Sequence, residues 1–426
     1  MERLNFEQFK ADIHHTLITK LDLEKLSTVQ TGKARQAVAN LVNEIIADRK
    51  VPLTAQEREK MQSDLLDEVF GLGPLEALLR DPKVSDILVN QKNVVFVERG
   101  GKLQKADIAF RDERHLLQII DRIVSKVGRR VDESSPMVDA RLPDGSRVNA
   151  IIPPLALDGP AVSIRRFGTG PLSANALVEL KSASPQMLEL LSAAVRARIS
   201  ILISGGTGAG KTTFLNMLSQ YIPQNQRVIT IEDAAELQLP LQNLVRLETR
   251  PPNVEGQGAI RQRQLLINCL RMRPDRIIVG EVRGEEAFDM LQAMNTGHEG
   301  SLTTIHANTP RDALSRLESM VAMSNMNFPE RTVRQQIASA ITIVVQCSRL
   351  SDGTRKVMNV AEITGMDENI IGMHDIFTFV RKGIGPDGKV LGTFRPTGIR
   401  PKFLERLRVA GVHLPSELFE TSMEVS

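Results

Sequence analysis

Hydrophobic positions recur at helical spacing in the first seventy residues. Intervals of three and four, the period of one face of an α-helix, separate Val38, Leu41, Val42, Ile45 and Ile46. A second amphipathic segment opens on Thr54, with Glu57 three residues later, the spacing of a capping box. The pattern predicts a bundle of short helices over residues 1–70, for which packing alone is a sufficient role.

The pattern changes between residues 71 and 167, where short apolar runs are punctuated by glycine and proline. A hairpin turning at Gly100-Gly101 is predicted for VVFVERGGKLQKA. An amphipathic helix that ends at Gly128 is predicted for HLLQIIDRIVSKVG. Two short strands are predicted for MVDARLPDGSRVNAIIPP and AVSIRRFG, with a turn signal at Asp144-Gly145. These elements indicate a small α+β domain.

Residues 168–180, beginning GTGPLSANAL, have the composition of a linker. Beyond them, buried strands such as ISILISG and DRIIVGEV alternate with helical segments such as RQLLINCLRMRP and GEEAFDMLQAMNTG. Alternation of this kind predicts a parallel sheet with crossover helices. We therefore expect an α/β domain over residues 181–426, in which the last seventy-five or so residues add strands and a basic helix, RPKFLERLRVAG.

Composition narrows the class of protein. The 54 basic and 51 acidic side chains nearly cancel, and the chain has no Trp and one Tyr. A nucleic-acid motor would favour a basic surface interleaved with aromatic residues, so this class is disfavoured but left open. Apolar runs are far shorter than the ~20 residues of a membrane span, and no secretory signal is expected. The chain has only two cysteines, Cys269 and Cys347, too few for a disulfide framework, so we expect the protein to reside in a reducing cytosol.

The strongest chemical signal follows the strand ISILISG. A phosphate loop of the form G-x-x-x-x-G-K-[ST] precedes a helix, the context that the motif requires. Lys211 should reach the β- and γ-phosphates, and Thr212 should offer its hydroxyl to Mg²⁺. The expected nucleotide-binding residues are Gly205, Gly206, Thr207, Gly208, Ala209, Gly210, Lys211, Thr212 and Thr213.

Two acidic strand ends accompany the loop. RIIVGEVRG occupies the place of the metal-holding strand, yet Gly280 stands where an Asp is usual, and Glu281 follows. Glu281 is expected to hold Mg²⁺ through water; the alternative is that it only orders its loop. TIEDAAEL places Glu232 at another strand end, where a carboxylate could deprotonate the attacking water. For Asp233 the alternative is an acidic helix cap.

Histidines and arginines complete the candidate set. His298 and His306 flank one strand, and both are expected to sense a phosphate or an interface, because two histidines are too few for a zinc site. Arginines can supply positive charge to a transferring phosphate from another domain or subunit. The candidates, for which a solvated charged edge is the alternative, are Arg141, Arg147, Arg165 and Arg166.

Taken in order, these segments resemble the type II/type IV secretion ATPase superfamily. The segments are GLGPLEALLRDPKVSDILVN, DARLPDGSRVNAIIPP, SIRRF, SGGTGAGKTT, IEDAAEL, GEVRGEEA and TGHEGSLTTIHAN. The C-terminal segment GTFRPTGIRPKFLERLRVAGVHLPSELF is similar to the tight-adherence (Flp) pilus branch. The resemblance covers about residues 65–420. It implies a RecA-like P-loop ATPase core preceded by a smaller, PAS-like α+β domain and an N-terminal helical bundle.

The resemblance also implies a function and its residues. It implies a cytoplasmic homohexameric ring, peripheral at the inner membrane of a bacterium, that hydrolyses Mg·ATP and moves a pilus platform protein. Nucleic acid is not an expected partner. Glu232 would be the catalytic base and Glu281 the Walker B carboxylate; the other residues implied to act on the nucleotide are Lys211, His298, His306, Arg141, Arg147 and Arg165. Three alternatives remain: a DNA- or protein-translocating type IV secretion ATPase, a RecA-like nucleic-acid motor and a nucleotide-gated scaffold without turnover.

Overall fold

The N-terminal helices form where the apolar spacing predicts them. The computed structural model describes residues 9–10, 12–14, 16–17, 31–49, 53–167, 170–252, 256–324 and 328–425, so the rest of the predicted 1–70 bundle lies outside the described residues. Helices α1 (Thr31–Asp48) and α2 (Ala55–Phe70) pack through Val38, Val42, Ile45, Met61 and Leu65. Thr54 and Glu57 form the predicted capping box, worth about 1 kcal/mol.

An antiparallel sheet with two helices follows. Its strand order is β3-β2-β1-β6-β5-β4, built from β1 (Val84–Gln91), β2 (Val94–Arg99), β3 (Lys102–Lys105), β4 (Met137–Arg141), β5 (Arg147–Ile151) and β6 (Ala161–Arg165). Helices α3 (Leu75–Arg80) and α4 (Glu113–Ser125) pack on it. The Gly100-Gly101 hairpin is confirmed as β2–β3. The single strand predicted for residues 137–154 is wrong, because the turn at Asp144-Gly145 reverses the chain and makes two strands.

A buried polar cluster ties the N-terminal helices to this sheet. The ring Nε2 of His115 on α4 lies 2.8 Å from Glu68 Oε2 on α2. Arg122 donates to the carbonyls of Glu68 and Gly71 at 2.8 and 2.5 Å, which satisfies the end of α2. Burial raises the pKa of Glu68, but the hydrogen bond and charge of His115 lower it overall. The bundle and the α+β domain accordingly form one compact unit, Met1–Phe167.

The second unit, Gly168–Ser426, is built on one ten-stranded sheet of order β16-β15-β14-β13-β12-β7-β11-β10-β8-β9. Part of this sheet is parallel, as the alternation of strands and helices predicts. The parallel strands are β12, β7, β11, β10, β8 and β9, in their order across the sheet. The bounds are β7 (Ile201–Gly205), β8 (Val228–Glu232), β9 (Leu244–Glu248), β10 (Arg276–Val282), β11 (Leu302–Ile305), β12 (Ile343–Arg349), β13 (Arg355–Asp367), β14 (Ile370–Ile384), β15 (Val390–Pro396) and β16 (Met423–Val425).

Helices cover both faces of the parallel part. Successive strand residues such as Ile201 and Leu202 belong to different cores, one on each face of the sheet, the arrangement that doubly covered parallel sheets require. The helices are α5 (Ala174–Glu179), α6 (Pro185–Arg196), α7 (Lys211–Ser219), α8 (Gln262–Cys269), α9 (Glu286–Asn295), α10 (Pro310–Ala322), α11 (Glu330–Ala340) and α12 (Leu404–Val409), with short 3₁₀ turns at Leu270–Met272 and Ser416–Phe419.

The predicted linker is shorter than residues 168–180. Ser173 caps helix α5, and Leu177 is buried in the core of the second unit, so residues 174–180 belong to that unit. Residues 168 and 169 lie outside the described residues. Within the part of the chain that the structure describes, no helix is both long and apolar enough to cross a membrane.

Candidate nucleotide site

The phosphate loop connects β7 to α7, as the motif requires. Gly210 adopts φ +92°, a left-handed conformation suited to glycine, and α7 begins at the next residue. Lys211 Nζ donates to the carbonyls of Gly205 and Gly206 at 3.0 and 3.1 Å. The helix N-terminus and the loop amides form an anion-binding surface. Lys211 would exchange these carbonyls for phosphate oxygens when a nucleotide binds.

Glu281 lies within reach of this lysine. Its Oε1 is 3.5 Å from Lys211 Nζ, and its Oε2 accepts from Arg283 Nε at 2.6 Å. Burial would raise the pKa of the Glu281 carboxyl, but the hydrogen bonds and charges of Arg283 and Lys211 lower it below its ordinary value. Glu281 is therefore ionised at neutral pH, the state in which a carboxylate holds a cation.

Glu232 sits in the opposite kind of environment. Its side chain is buried at the end of β8, and its Oε2 accepts from the amides of Glu236 and Leu237 at 2.7 and 2.9 Å. Burial nevertheless raises the pKa of Glu232 to about 7. Its Oε1 is buried without a hydrogen-bond partner among the described residues. A carboxylate with that pKa and an unpaired oxygen is suited to take a proton from water.

The unusual glycine before Glu281 has a steric reason. A Cβ at Gly280 would lie 2.9 Å from Glu232 Cγ. The Glu232 side chain therefore packs against β10 at its glycine, the one residue of that strand without a side chain. Thr304 Oγ1 on β11 fixes the same residue by donating to the Gly280 carbonyl at 2.6 Å. An Asp in this place would displace Glu232, and the carboxylate of β10 stands one residue later, at Glu281.

Sequence reasoning assigned no role to Arg283, which links the acidic residues. Besides its bonds to Glu281, its Nη1 lies 3.2 Å from Asp233 Oδ2. The helix-cap alternative for Asp233 is wrong, because the described residues between Glu232 and β9 form bends and irregular backbone with no helix. The position of Arg283 two residues after Glu281, inside GEVRG, was the available signal.

The two histidines flank β11 as predicted, but at different edges of the sheet. His306 directly follows Ile305, which pairs with Ser204 beside the phosphate loop. His298 precedes the strand; its backbone amide donates to the Ala293 carbonyl, and its own carbonyl accepts from Ser301 Oγ at 2.7 Å. Within this chain the structure therefore places His306 at the loop edge and His298 at the edge where the parallel strands begin.

The arginines lie in the first unit, on three strands rather than two. Register pairs Arg141 with Arg147 and Arg147 with Arg165, so the three side chains share one face of the sheet. Arg165 Nε is 3.3 Å from Asp86 Oδ1. Arg166 is different: its Nη1 donates to the Asp81 carbonyl at 2.9 Å and so supports the end of α3.

The donor set at the loop suits Mg·ATP as a substrate. No group of three or more His, Cys, Asp or Glu side chains in the described ranges could hold a metal by itself. Thr212 is the second residue of α7, directly after Lys211, and the ionised Glu281 lies 3.5 Å from the same lysine. One hydroxyl and one carboxylate match a cation that keeps its waters and the phosphate oxygens as ligands. Thr212 and Glu281 would hold it.

Comparison with known proteins gives the family. The family model described as Type II/IV secretion system protein matches residues 68–373, and the model for the N-terminal domain of Type II secretion system protein E matches residues 6–70. The chain belongs to the Type II/IV secretion system protein family. The superfamily predicted from the sequence is thus confirmed. The sheets and helices of the structure confirm the predicted mixed α/β fold.

Individual relatives come from several bacteria. A putative conjugal transfer protein of Mycobacterium tuberculosis is 35% identical over 73% of this chain and 94% of its own length. The type IV secretion system protein VirB11 of Bartonella quintana is 31% identical over 71% of this chain and 94% of its own length. The solved VirB11 ATPase of Brucella suis, in complex with sulphate, is 30% identical and covers 69% of this chain and 94% of its own, with a TM-score of 0.37.

Proposed function

We propose that this chain hydrolyses Mg·ATP and converts the hydrolysis into mechanical work for a secretion or pilus machine. The observation that carries the proposal is a pair of carboxylates at the ends of adjacent strands, one of which lies beside the lysine of the phosphate loop. One, Glu281, is held ionised against Lys211, and the other, Glu232, has a pKa of about 7 and an unpaired buried oxygen. Neighbouring groups whose pKa values are driven apart are typical of acid–base catalysis.

The proposal gives each residue of the site a role that its position supports. Lys211, the loop amides and Thr212 bind the β- and γ-phosphates and the cation. Glu281 holds the cation through water, and Glu232 accepts the proton of the attacking water. His306 lies at the same edge of the sheet and responds to the phosphate. From the family resemblance we further propose that the row of Arg141, Arg147 and Arg165 supplies positive charge to a bound triphosphate, in the same chain or in a neighbouring copy.

The finer assignment follows the resemblance at the C-terminus. We propose a cytoplasmic homohexamer, peripheral at the inner membrane, that drives assembly of tight-adherence (Flp) pili through a platform protein. A second candidate, a type IV secretion ATPase, is favoured by the similarity to VirB11 and to a conjugal transfer protein. Restoration of pilin fibres in a strain lacking this chain supports the first; restored transfer of DNA or protein with no fibres supports the second.

The enzymatic proposal is tested by Lys211→Ala. The loop lysine carries the charge that the γ-phosphate meets, so phosphate release from ATP should fall by about 100-fold or more. Lys389→Ala is the matched control. Lys389 is an exposed lysine of the same unit, in the turn between β14 and β15, and it forms an ion pair with Asp387. A Lys211→Ala protein with wild-type turnover would overturn the ATPase assignment. Strong, salt-sensitive stimulation by DNA would favour the nucleic-acid motor.

A further inference from the structure

The hairpin between β12 and β13 is built against the phosphate loop. Strand β12 runs parallel to β7, and its Cys347 pairs with Gly205, the residue at which the loop begins. Two residues later β12 ends at Arg349, and β13 begins at Arg355 after a short turn. The hairpin thus continues past the sheet alongside the loop.

The turn presents its two arginines together. Arg349 and Arg355 are opposite each other in the antiparallel register, so their side chains start from the same face of the hairpin. Asp352 stiffens the turn, since its carboxylate accepts from the Thr354 amide and hydroxyl at 2.9 and 2.7 Å and from the Val390 amide at 2.8 Å. The arginines are accordingly held at a fixed place relative to the sheet.

Arg355 contacts the phosphate loop directly, and Arg349 borders it. Arg355 Nε donates to the Gly208 carbonyl at 2.9 Å, and a Cβ at Gly210 would lie 3.3 Å from Arg355 Cδ. A Cβ at Gly208 would lie 3.5 Å from Arg349 Nη1. The loop is therefore hydrogen-bonded to the guanidinium of Arg355 and bordered by that of Arg349, residues that lie 147 and 141 positions after Gly208 in the chain (355 − 208 and 349 − 208).

We infer that Arg355, assisted by Arg349, is a positioning residue that fixes the phosphate loop for binding a nucleoside triphosphate. Its hydrogen bond turns the negative end of the Gly208 carbonyl toward a guanidinium, which keeps that dipole from opposing the phosphates. The two positive charges also favour an anion at the adjacent loop. The inference rests on the proposed function, and it assigns these arginines to nucleotide affinity and not to turnover.

The test compares Arg355→Met with Arg381→Met, an equal loss of charge at an exposed position of β14. ATP affinity is measured by equilibrium titration, and KM and kcat by phosphate release. Loss of a charge-assisted hydrogen bond should weaken ATP binding and raise KM about tenfold in Arg355→Met, with kcat within about threefold of wild type. Arg381→Met should match wild type, and Arg355→Lys, which keeps a cationic donor, should recover part of the affinity.

Affinity of Arg355→Met equal to that of Arg381→Met overturns the inference, as does a fall in kcat at unchanged affinity. If Arg355→Met shows no cooperative thermal unfolding, Arg355→Lys and Arg349→Met take its place. Each of these variants should bind ATP about threefold more weakly than the wild type. Wild-type affinity in both variants would also overturn the inference. Failure of the wild-type protein to bind ATP would instead overturn the proposed function, so the two failures are distinguishable.

Discussion

Glu232 and Glu281 stand at the ends of adjacent parallel strands, yet their surroundings have opposite effects. Glu281 forms ion pairs with Lys211 and Arg283, and these positive charges lower its pKa despite its burial. Glu232 is buried, and burial raises its pKa to about 7 although two backbone amides and the charge of Arg246 act to lower it. Both side chains are glutamates, and both lose contact with water on folding. Glu281 offsets that loss through direct ion pairs with Lys211 and Arg283, whereas the charge of Arg246 is too weak to offset the burial of Glu232.

The contrast separates two chemical roles. A carboxylate that stays ionised suits the electrostatic holding of a cation, and one that titrates near neutral pH suits proton transfer. The structure also shows how closely the two are coupled, because Gly280, the residue next to Glu281, provides the space that the Glu232 side chain occupies. Substitutions at these positions test whether the two roles are separate.

The largest effect is expected from Glu232→Gln. The amide keeps the shape of the side chain but cannot accept a proton, so kcat should fall by a factor of about 10² to 10⁴ while ATP binding persists. Single-turnover phosphate release and nucleotide titration measure the two quantities. The matched control is Glu236→Gln, the same change four residues away, which should keep most of the activity. Loss of turnover in Glu236→Gln alone would move the base to Glu236.

An intermediate effect is expected from Gly280→Ala. The added methyl group would meet Glu232 Cγ at 2.9 Å, so the side chain must move and its bonds to the amides of Glu236 and Leu237 must change. We expect about a tenfold lower kcat, the size of loss that small displacements of catalytic groups produce, with unchanged ATP affinity. Gly32→Ala is the control, because a methyl group on Gly32 of α1 meets no atom within 4 Å.

Full activity in Gly280→Ala would contradict the steric account of the missing Asp. A loss of ATP affinity in place of kcat would place the damage at the loop and not at the base.

The smallest effect is expected from Arg283→Met. Removing the guanidinium should let the pKa of Glu281 rise, since burial then has only Lys211 to oppose it. Glu281 would hold the cation less well, and about a threefold higher Mg²⁺ concentration should be needed for half-maximal turnover at neutral pH. The deficit should shrink as pH rises, because a higher pH ionises the carboxyl again. An unchanged Mg²⁺ requirement at every pH would remove Arg283 from this role.

Much of this arrangement could be predicted from residue spacing, because carboxyl ends of parallel strands meet at one edge of a sheet. Spacing located the phosphate loop, Glu232 and Glu281. It could not show that Glu232 crosses β10 at Gly280, because which side chain fills a gap depends on strand order. The distribution of histidines between opposite edges of the sheet likewise follows from the direction of β11, and the row of arginines from the register of three strands.

The contact between Arg355 and Gly208 was hidden for another reason. The two residues are 147 positions apart in the chain, and only the parallel pairing of β12 with β7 brings them together. Local pattern carries no information about such a pairing. The residues of the motif could therefore be located from the sequence, and a residue that contacts the motif from a distant strand could not.

The pH dependence of kcat, measured at saturating Mg·ATP between about pH 5.5 and 9, tests the central contrast most directly. The base acts when deprotonated, and the pKa of Glu232 is raised to about 7, so the rate should rise with pH, tenfold per unit, and level off above about pH 7. Glu232→Gln should show a low rate without this rise. A wild-type rate that is flat from pH 5.5 upward would show that no group with this pKa limits turnover and would contradict the assignment of Glu232 as the base.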